Sequence, residues 1–266
     1  MTLQGYSVPR TATGSASLVP APPWHYVGDF LVVDYWADAD AVRAVLPAGL
    51  DEHPDPGRCA AVFADWQSCS DGGEELLDPV RSHYREFFVV VNALLDGEEV
   101  TFCPFIWVDQ DFALARGWIQ GFPKKLGTIW MTRTFGLDCA ADPGIRAGSR
   151  FGAACSARGH RIAEATVTLE RVTDDGPRHN APPMVNVRHF ARLEHGRHEE
   201  PQVHELVGAV SRDRVSSEVW QGAATLELKP APGEEHDLLA PVGLGPGYRF
   251  SFGYTVDDLR TLRELR

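Results

Sequence analysis

The sequence predicts an α+β fold in which antiparallel strands dominate. Apolar runs rich in β-branched and aromatic residues recur at 30–36, 60–66, 86–95, 100–108, 128–135, 162–172, 185–193, 219–228 and 248–256, each with the length and composition of a strand. The turn signals between them, such as Asp96-Gly97, Asp142-Pro143-Gly144 and Asp175-Gly176-Pro177, lie too close together for the repeated crossover helices that parallel pairing needs. Helical patterns are few: 38–46, 109–120, 202–210 and a charged stretch at 257–265.

In chain order, residues 1–23 are polar and Pro-containing and read as a surface arm ahead of a single domain over 24–266. The first helix ends before Pro47, which cannot continue it. Along 84–88, strand alternation puts Tyr84, Glu86 and Phe88 on one face, so a carboxyl group stands in apolar company. The helix at 109–120 is bracketed by Asp109 as N-cap, Gly121 as the residue after the C-cap and Pro123 just beyond, and Gly117 weakens it. In the last run Tyr248, Phe250, Phe252 and Tyr254 share a face. Trp24, Trp107 and Trp118 belong to the core or to a pocket wall.

Composition removes several function classes. A chain of 266 residues can bury a sizeable core. The net charge of -12, with 25 basic residues scattered among 37 acidic ones, argues against a nucleic-acid surface. No run approaches the roughly 18–20 apolar residues of a membrane span, and the first residues lack the apolar run of a signal peptide, so a soluble cytoplasmic protein is expected. Five cysteines with no C-x-x-C pair indicate neither a disulfide framework nor a zinc site. His179, His189, His195, His198 and His204 cluster in sequence, but no pair has metal-binding helical spacing and the region is rich in Arg and Glu, so no metal is expected. Gly243-Leu244-Gly245-Pro246-Gly247 lacks the order and following helix of a dinucleotide loop and reads as a turn.

The segment most suited to covalent chemistry is Gly121-Phe122-Pro123-Lys124-Lys125-Leu126-Gly127. An ordinary lysine has a pKa near 10.4, so a nucleophilic amine at neutral pH needs a loss of about three units. A neighbouring ammonium such as Lys125, at about 7 Å and an effective dielectric near 20, supplies roughly 2.4 kcal/mol, under two units. Desolvation among Phe122, Leu126 and other apolar neighbours must supply most of the change. Arg116, Gln120 and Lys124 are spaced by four, so they converge on one side whether the segment is helical or extended.

The string at 121–127 resembles the active-site segment of the acetoacetate decarboxylase superfamily, and residues 30–50 resemble that family's N-terminal region. The resemblance implies a mostly antiparallel cone-shaped barrel or sandwich with a few short helices, a homo-oligomer (dimer or tetramer), and a Schiff base on Lys124 that requires no metal or organic cofactor. Acetoacetate decarboxylase is itself the established example of a lysine activated by desolvation or a cationic neighbour.

This sequence departs from the decarboxylases. Their Gly-Arg-Glu upstream of the lysine is replaced by Arg116-Gly117-Trp118, their N-terminal arginine falls at Gly28, and a further glutamate falls near Ala61. The pattern Arg116-x-x-x-Gln120-x-x-x-Lys124 is instead similar to the pyruvate aldolase-dehydratase branch. That likeness implies a carboxylate held by Arg116 and Gln120, with Tyr84, Glu86 or Tyr254 moving protons, on a 2-keto acid and an aldehyde as substrates. Gripping a carboxylate favours keeping it, whereas decarboxylation is helped by leaving it unstabilised. The alternatives are an acetoacetate decarboxylase and a non-catalytic ligand-binding β fold.

Overall fold

The computed structural model describes residues 2–177, 179 and 182–265. Its elements in chain order are β1 (Trp24–Trp36), α1 (Ala39–Val45), β2 (Asp51–Glu52), β3 (Arg58–Ser70), β4 (His83–Leu95), β5 (Glu98–Val108), α2 (Asp111–Ile119), β6 (Lys124–Leu126), β7 (Thr128–Met131), β8 (Arg150–Ala157), β9 (His160–Thr173), β10 (Val185–Phe190), β11 (Val203–Ser216), β12 (Val219–Leu228) and β13 (Gly243–Glu264). The strands form one sheet in the order β6-β5-β4-β3-β1-β13-β12-β9-β8-β7, with β10–β11 joined to β13 and β2 to β4. Every pairing between these strands is antiparallel except β5 with β6, where Ile106 lies opposite Lys124. The sheet curls until β7, at one end of the order, packs against β3, β4 and β5 near the other.

Strands buried on both faces separate two cores. Along β4, Phe87, Val89 and Val91 enter a core enclosed with Trp107, Phe151 and Ile162. Phe88 and Val90 point the opposite way, into a second core with Trp24, Phe30, Trp66, Ile106 and Phe112. Strict alternation along β4 therefore feeds two apolar layers, and a one-residue slip in register would exchange them. The arm joins the second layer: Val19 is buried in it and Tyr6 packs edge-on against Trp24.

Several sequence expectations are corrected. Residues 202–210 are not helical: 203–210 lie in β11, where Val203, Val207 and Val210 suit a strand paired on both sides and Leu206 enters the first core. The charged stretch 257–265 continues β13 along β11 as far as Glu264 instead of forming a helix. No apolar run marks β8 in the sequence, because only Phe151, Ala153, Cys155 and Ala157 carry its inward face and small residues give a faint signal. Asp109 does not cap α2. Gln110 occupies that position, and the Asp109 carboxyl accepts from the Arg85 backbone N–H at 2.7 Å and its Nε at 3.1 Å.

Gly121 does follow the helix end with φ +83°, a conformation that favours glycine. Asp38 caps α1, its Oδ1 accepting from the backbone N–H groups of Asp40 and Ala41. The glycines at 243–247 lie in β13, and a Cβ on Gly247 would stand 2.5 Å from Val167 Cγ2, so close strand packing accounts for that residue. The five cysteines are free, with Cys59, Cys103 and Cys155 buried.

Candidate active site

Helix α2 ends, the chain turns at Gly121, and β6 carries Lys124 back beside the helix. The Lys124 side chain crosses α2 at Gly117, where an added Cβ would stand 2.2 Å from its Cδ and 2.7 Å from its Cε. The glycine that weakens the helix is the one that admits the lysine stem. Trp118 ties the return strand to the helix, its Nε1 donating to the Lys124 carbonyl at 2.9 Å.

Lys124 is 8 % exposed, and its Nζ donates to Glu86 Oε2 at 3.0 Å. The other oxygen of Glu86 accepts from Trp66 Nε1 at 2.7 Å, which fixes the carboxyl group from the neighbouring strand. Burial pulls the Lys124 pKa down, the Glu86 charge and hydrogen bond pull it up, and Arg116 pulls it down again. The net direction is downward, towards a free amine.

Arg116 is 4 % exposed, with Nη2 donating to Ser68 Oγ at 3.0 Å. Its guanidinium lies 4.7 Å from the Tyr26 ring centroid and 5.6 Å from that of Tyr84. Aromatic faces on this scale stabilise a desolvated cation. Gln120 Nε2 donates to Tyr26 Oη at 3.3 Å, and Tyr26 stacks on Tyr254 at 5.1 Å. Burial raises the pKa values of Tyr26, Tyr84 and Tyr254, leaving all three as neutral phenols.

The structure thus gathers Lys124, Glu86, Arg116, Gln120, Tyr84 and Tyr254 around Tyr26 and Trp66. Lys125 is not among them. On β6 it faces the other way, forming an ion pair with Glu234 and lying 5.3 Å from the Trp107 ring centroid. The neighbouring cation acting on Lys124 is therefore Arg116, since adjacent strand residues point to opposite faces. Trp66, Ser68 and Tyr26 carry no local sequence signal and join the site through strand register: Trp66 pairs with Tyr84, and Tyr26 with both Ser68 and Tyr254. Ala61 faces the first core, away from the site, so the expected alignment of a family glutamate with it is off the site-facing register. Gly28 faces the site, where a Cβ would stand 2.8 Å from the Trp66 ring, so Trp66 fills the space a longer side chain would need.

A cavity of about 170 Å³ adjoins this cluster, walled by Trp66, Gln120, Phe122 and Tyr254 near Lys124. His179 lines it, His189 packs against His204 across β10–β11, and His195 and His198 are exposed. Among the described residues, no group of three or more His, Cys, Asp or Glu side chains could hold a metal ion. No helix among them is long and apolar enough to cross a membrane.

The family model for acetoacetate decarboxylase matches residues 7–265. Among solved structures, the enduracididine biosynthesis enzyme MppR complexed with pyruvate is 37% identical, with a TM-score of 0.91 and 99% of each chain covered. MppR complexed with the condensation product of pyruvate and imidazole 4-carboxaldehyde matches at the same identity and TM-score, over 100% of this chain and 99% of that one. An acetoacetate decarboxylase-like enzyme from Sphingomonas wittichii RW1 is 28% identical, with a TM-score of 0.90, over 98% of this chain and 100% of that one. A search of curated proteins found no match.

Proposed function

Since the chain belongs to the acetoacetate decarboxylase family, we propose that it is a Schiff-base lyase that condenses pyruvate, or a related 2-keto acid, with an aldehyde and then dehydrates the adduct. The observation that carries this reading is a desolvated Lys124 with Glu86 3.0 Å from its Nζ and the buried cation of Arg116 close enough to depress its pKa. The pyruvate and the condensation product held by MppR support it.

The amine of Lys124 adds to the keto carbon, and loss of water leaves an iminium whose positive nitrogen is an electron sink. Glu86 is placed to take the proton from the amine. Ser68 occupies one of the five N–H donors of Arg116, and a planar guanidinium is the group best suited to a carboxylate. With Arg116 and Gln120 on the carboxylate, carbon dioxide is retained. Loss of a methyl proton to a neighbouring base gives an enamine, which attacks the aldehyde carbon to form a carbon–carbon bond. Loss of the new hydroxyl with a proton from the adjacent carbon releases water. Hydrolysis of the iminium then returns Lys124 and an unsaturated 2-keto acid. Tyr254, on the cavity wall with its phenol neutral, is the candidate acid for the aldehyde oxygen and the departing hydroxyl.

The test is product analysis by mass spectrometry with pyruvate plus imidazole 4-carboxaldehyde, and separately with acetoacetate. Condensation with loss of water supports the proposal. Carbon dioxide release from acetoacetate with no condensation product overturns it in favour of decarboxylation.

A further inference from the structure

His189 and His204, 15 residues apart in the chain, stand directly opposite each other where β10 pairs with β11. Their Nδ1 atoms lie 3.1 Å apart, and the rings meet edge to face with centroids 4.9 Å apart. Both side chains leave the face that carries Val187 and Leu206, two residues inward on each strand. Leu206 enters the first core and Val187 packs against it, which fixes that face. The His204 carbonyl also accepts from the Leu265 backbone N–H at 2.9 Å, so β11 is held on its other side as well. The imidazoles themselves remain open to solvent, His189 exposed and His204 half-buried. In the connecting loop Arg192 and Arg197 are paired with Glu194 and Glu200, and the chain as a whole carries a net charge of -12, which favours a cation.

We infer that His189 and His204 form a chelating pair for a borderline divalent transition-metal ion such as Zn(II), Ni(II) or Cu(II), with water in its remaining positions. A neutral imidazole carries one N–H and one bare nitrogen, and the bare nitrogen is the commonest side-chain metal ligand. Two nitrogens bonded to one ion at about 2.0–2.1 Å and 3.1 Å from each other subtend about 95–102° at it, between the roughly 90° of an octahedral ion and the roughly 109° of a tetrahedral one. Imidazole suits these ions, whereas Mg²⁺ and Ca²⁺ take oxygen. Strand register thus supplies the adjacency that helical spacing does not, and the ion staples the base of the β10–β11 hairpin. With two protein ligands the site is open and exchangeable, unlike a closed structural site with four. The inference is independent of the chemistry at Lys124.

Calorimetric titration of the full chain with NiCl₂ tests it. Ni(II) is the probe because the free thiols compete more strongly for zinc and copper. One Ni(II) per chain is expected, with affinity falling at least about 10-fold in His189→Gln and in His204→Gln, since losing even an outer-shell partner of a ligand costs about 10- to 100-fold. Glutamine can still hydrogen-bond the remaining ring but is a poor ligand, so a contact between the rings alone and a metal site are told apart. The loop variant carrying His195→Ala and His198→Ala should bind as wild type does. Excess Ni(II) should raise the melting temperature of the wild type and of the loop variant and leave both Gln variants where they melt without metal. Absence of stoichiometric binding by the wild type, an affinity unchanged in either Gln variant, or a loss confined to the loop variant overturns the inference.

Discussion

Replacing Gly117 by Ala isolates the fit between α2 and the reactive lysine. Two effects oppose each other. In a helix interior, Ala is favoured over Gly by about 0.8–1.0 kcal/mol. Against that, the new methyl would stand 2.2 Å from Lys124 Cδ, while carbon atoms settle at about 3.5–4.0 Å, so the stem must retreat by roughly 1.3 Å or more. Inserting a methyl into a packed site costs about 1–3 kcal/mol, so the net stability change is small, from about zero to 2 kcal/mol of destabilisation. The functional cost is larger, because displacement of a reacting group by about 1 Å can cost 10²-fold. Gly117→Ala is expected to keep a cooperative melt within a few degrees of wild type while trapping pyruvate by borohydride about 100-fold more slowly. Wild-type trapping rates in a folded Gly117→Ala protein would refute the packing of Lys124 against this helix.

Three other substitutions bear on the site and on the ion pair behind it. In the folded protein Lys124 binds its proton more weakly than in the unfolded chain. Its stability penalty is therefore full below the folded pKa and is relieved as pH rises from there towards about 10.4. Urea melts at pH 7 to 9.5 should accordingly show wild type gaining on Lys124→Met as pH rises, and parallel curves would contradict a depressed amine. Arg116→Ala removes a charge-assisted contact of about 1.5–3 kcal/mol, which predicts a rise of roughly 10- to 100-fold in the pyruvate concentration needed for half-maximal trapping. An unchanged concentration dependence would free Arg116 from the carboxylate. Lys125→Met leaves the buried Glu234 carboxyl unpaired and should lower the melting temperature while leaving the pH dependence of Lys124 trapping in place. A shifted trapping profile would show that the two lysines titrate together.

Much of the site was legible because its chemistry lies in short spacings. Arg116, Gln120 and Lys124 converge under either local conformation, and Tyr84 with Glu86 follows from strand alternation. The partner of Glu86 was not legible. Trp66 reaches it only through the β3–β4 register, and nothing near residue 66 announces that pairing. Lys125 shows the opposite failure: adjacency to Lys124 suggested a shared site, but a three-residue strand sends the two side chains to opposite faces. Among the elements, the polar and apolar residues of 202–210 fit a helical spacing as well as an extended one, and only the pairing of β11 with β10 and β13 decides between them. Charge along 257–265 misled in the same way, since an outer strand face and a solvated helix face are equally rich in Asp and Arg.

The central claim is that Lys124 carries the substrate as an imine. Borohydride reduction in the presence of pyruvate, followed by peptide mass mapping, tests it most directly. The account predicts one reduced pyruvate adduct, on Lys124, absent from Lys124→Met. An adduct on Lys125 or elsewhere, or a protein that pyruvate and borohydride leave unmodified, would contradict it.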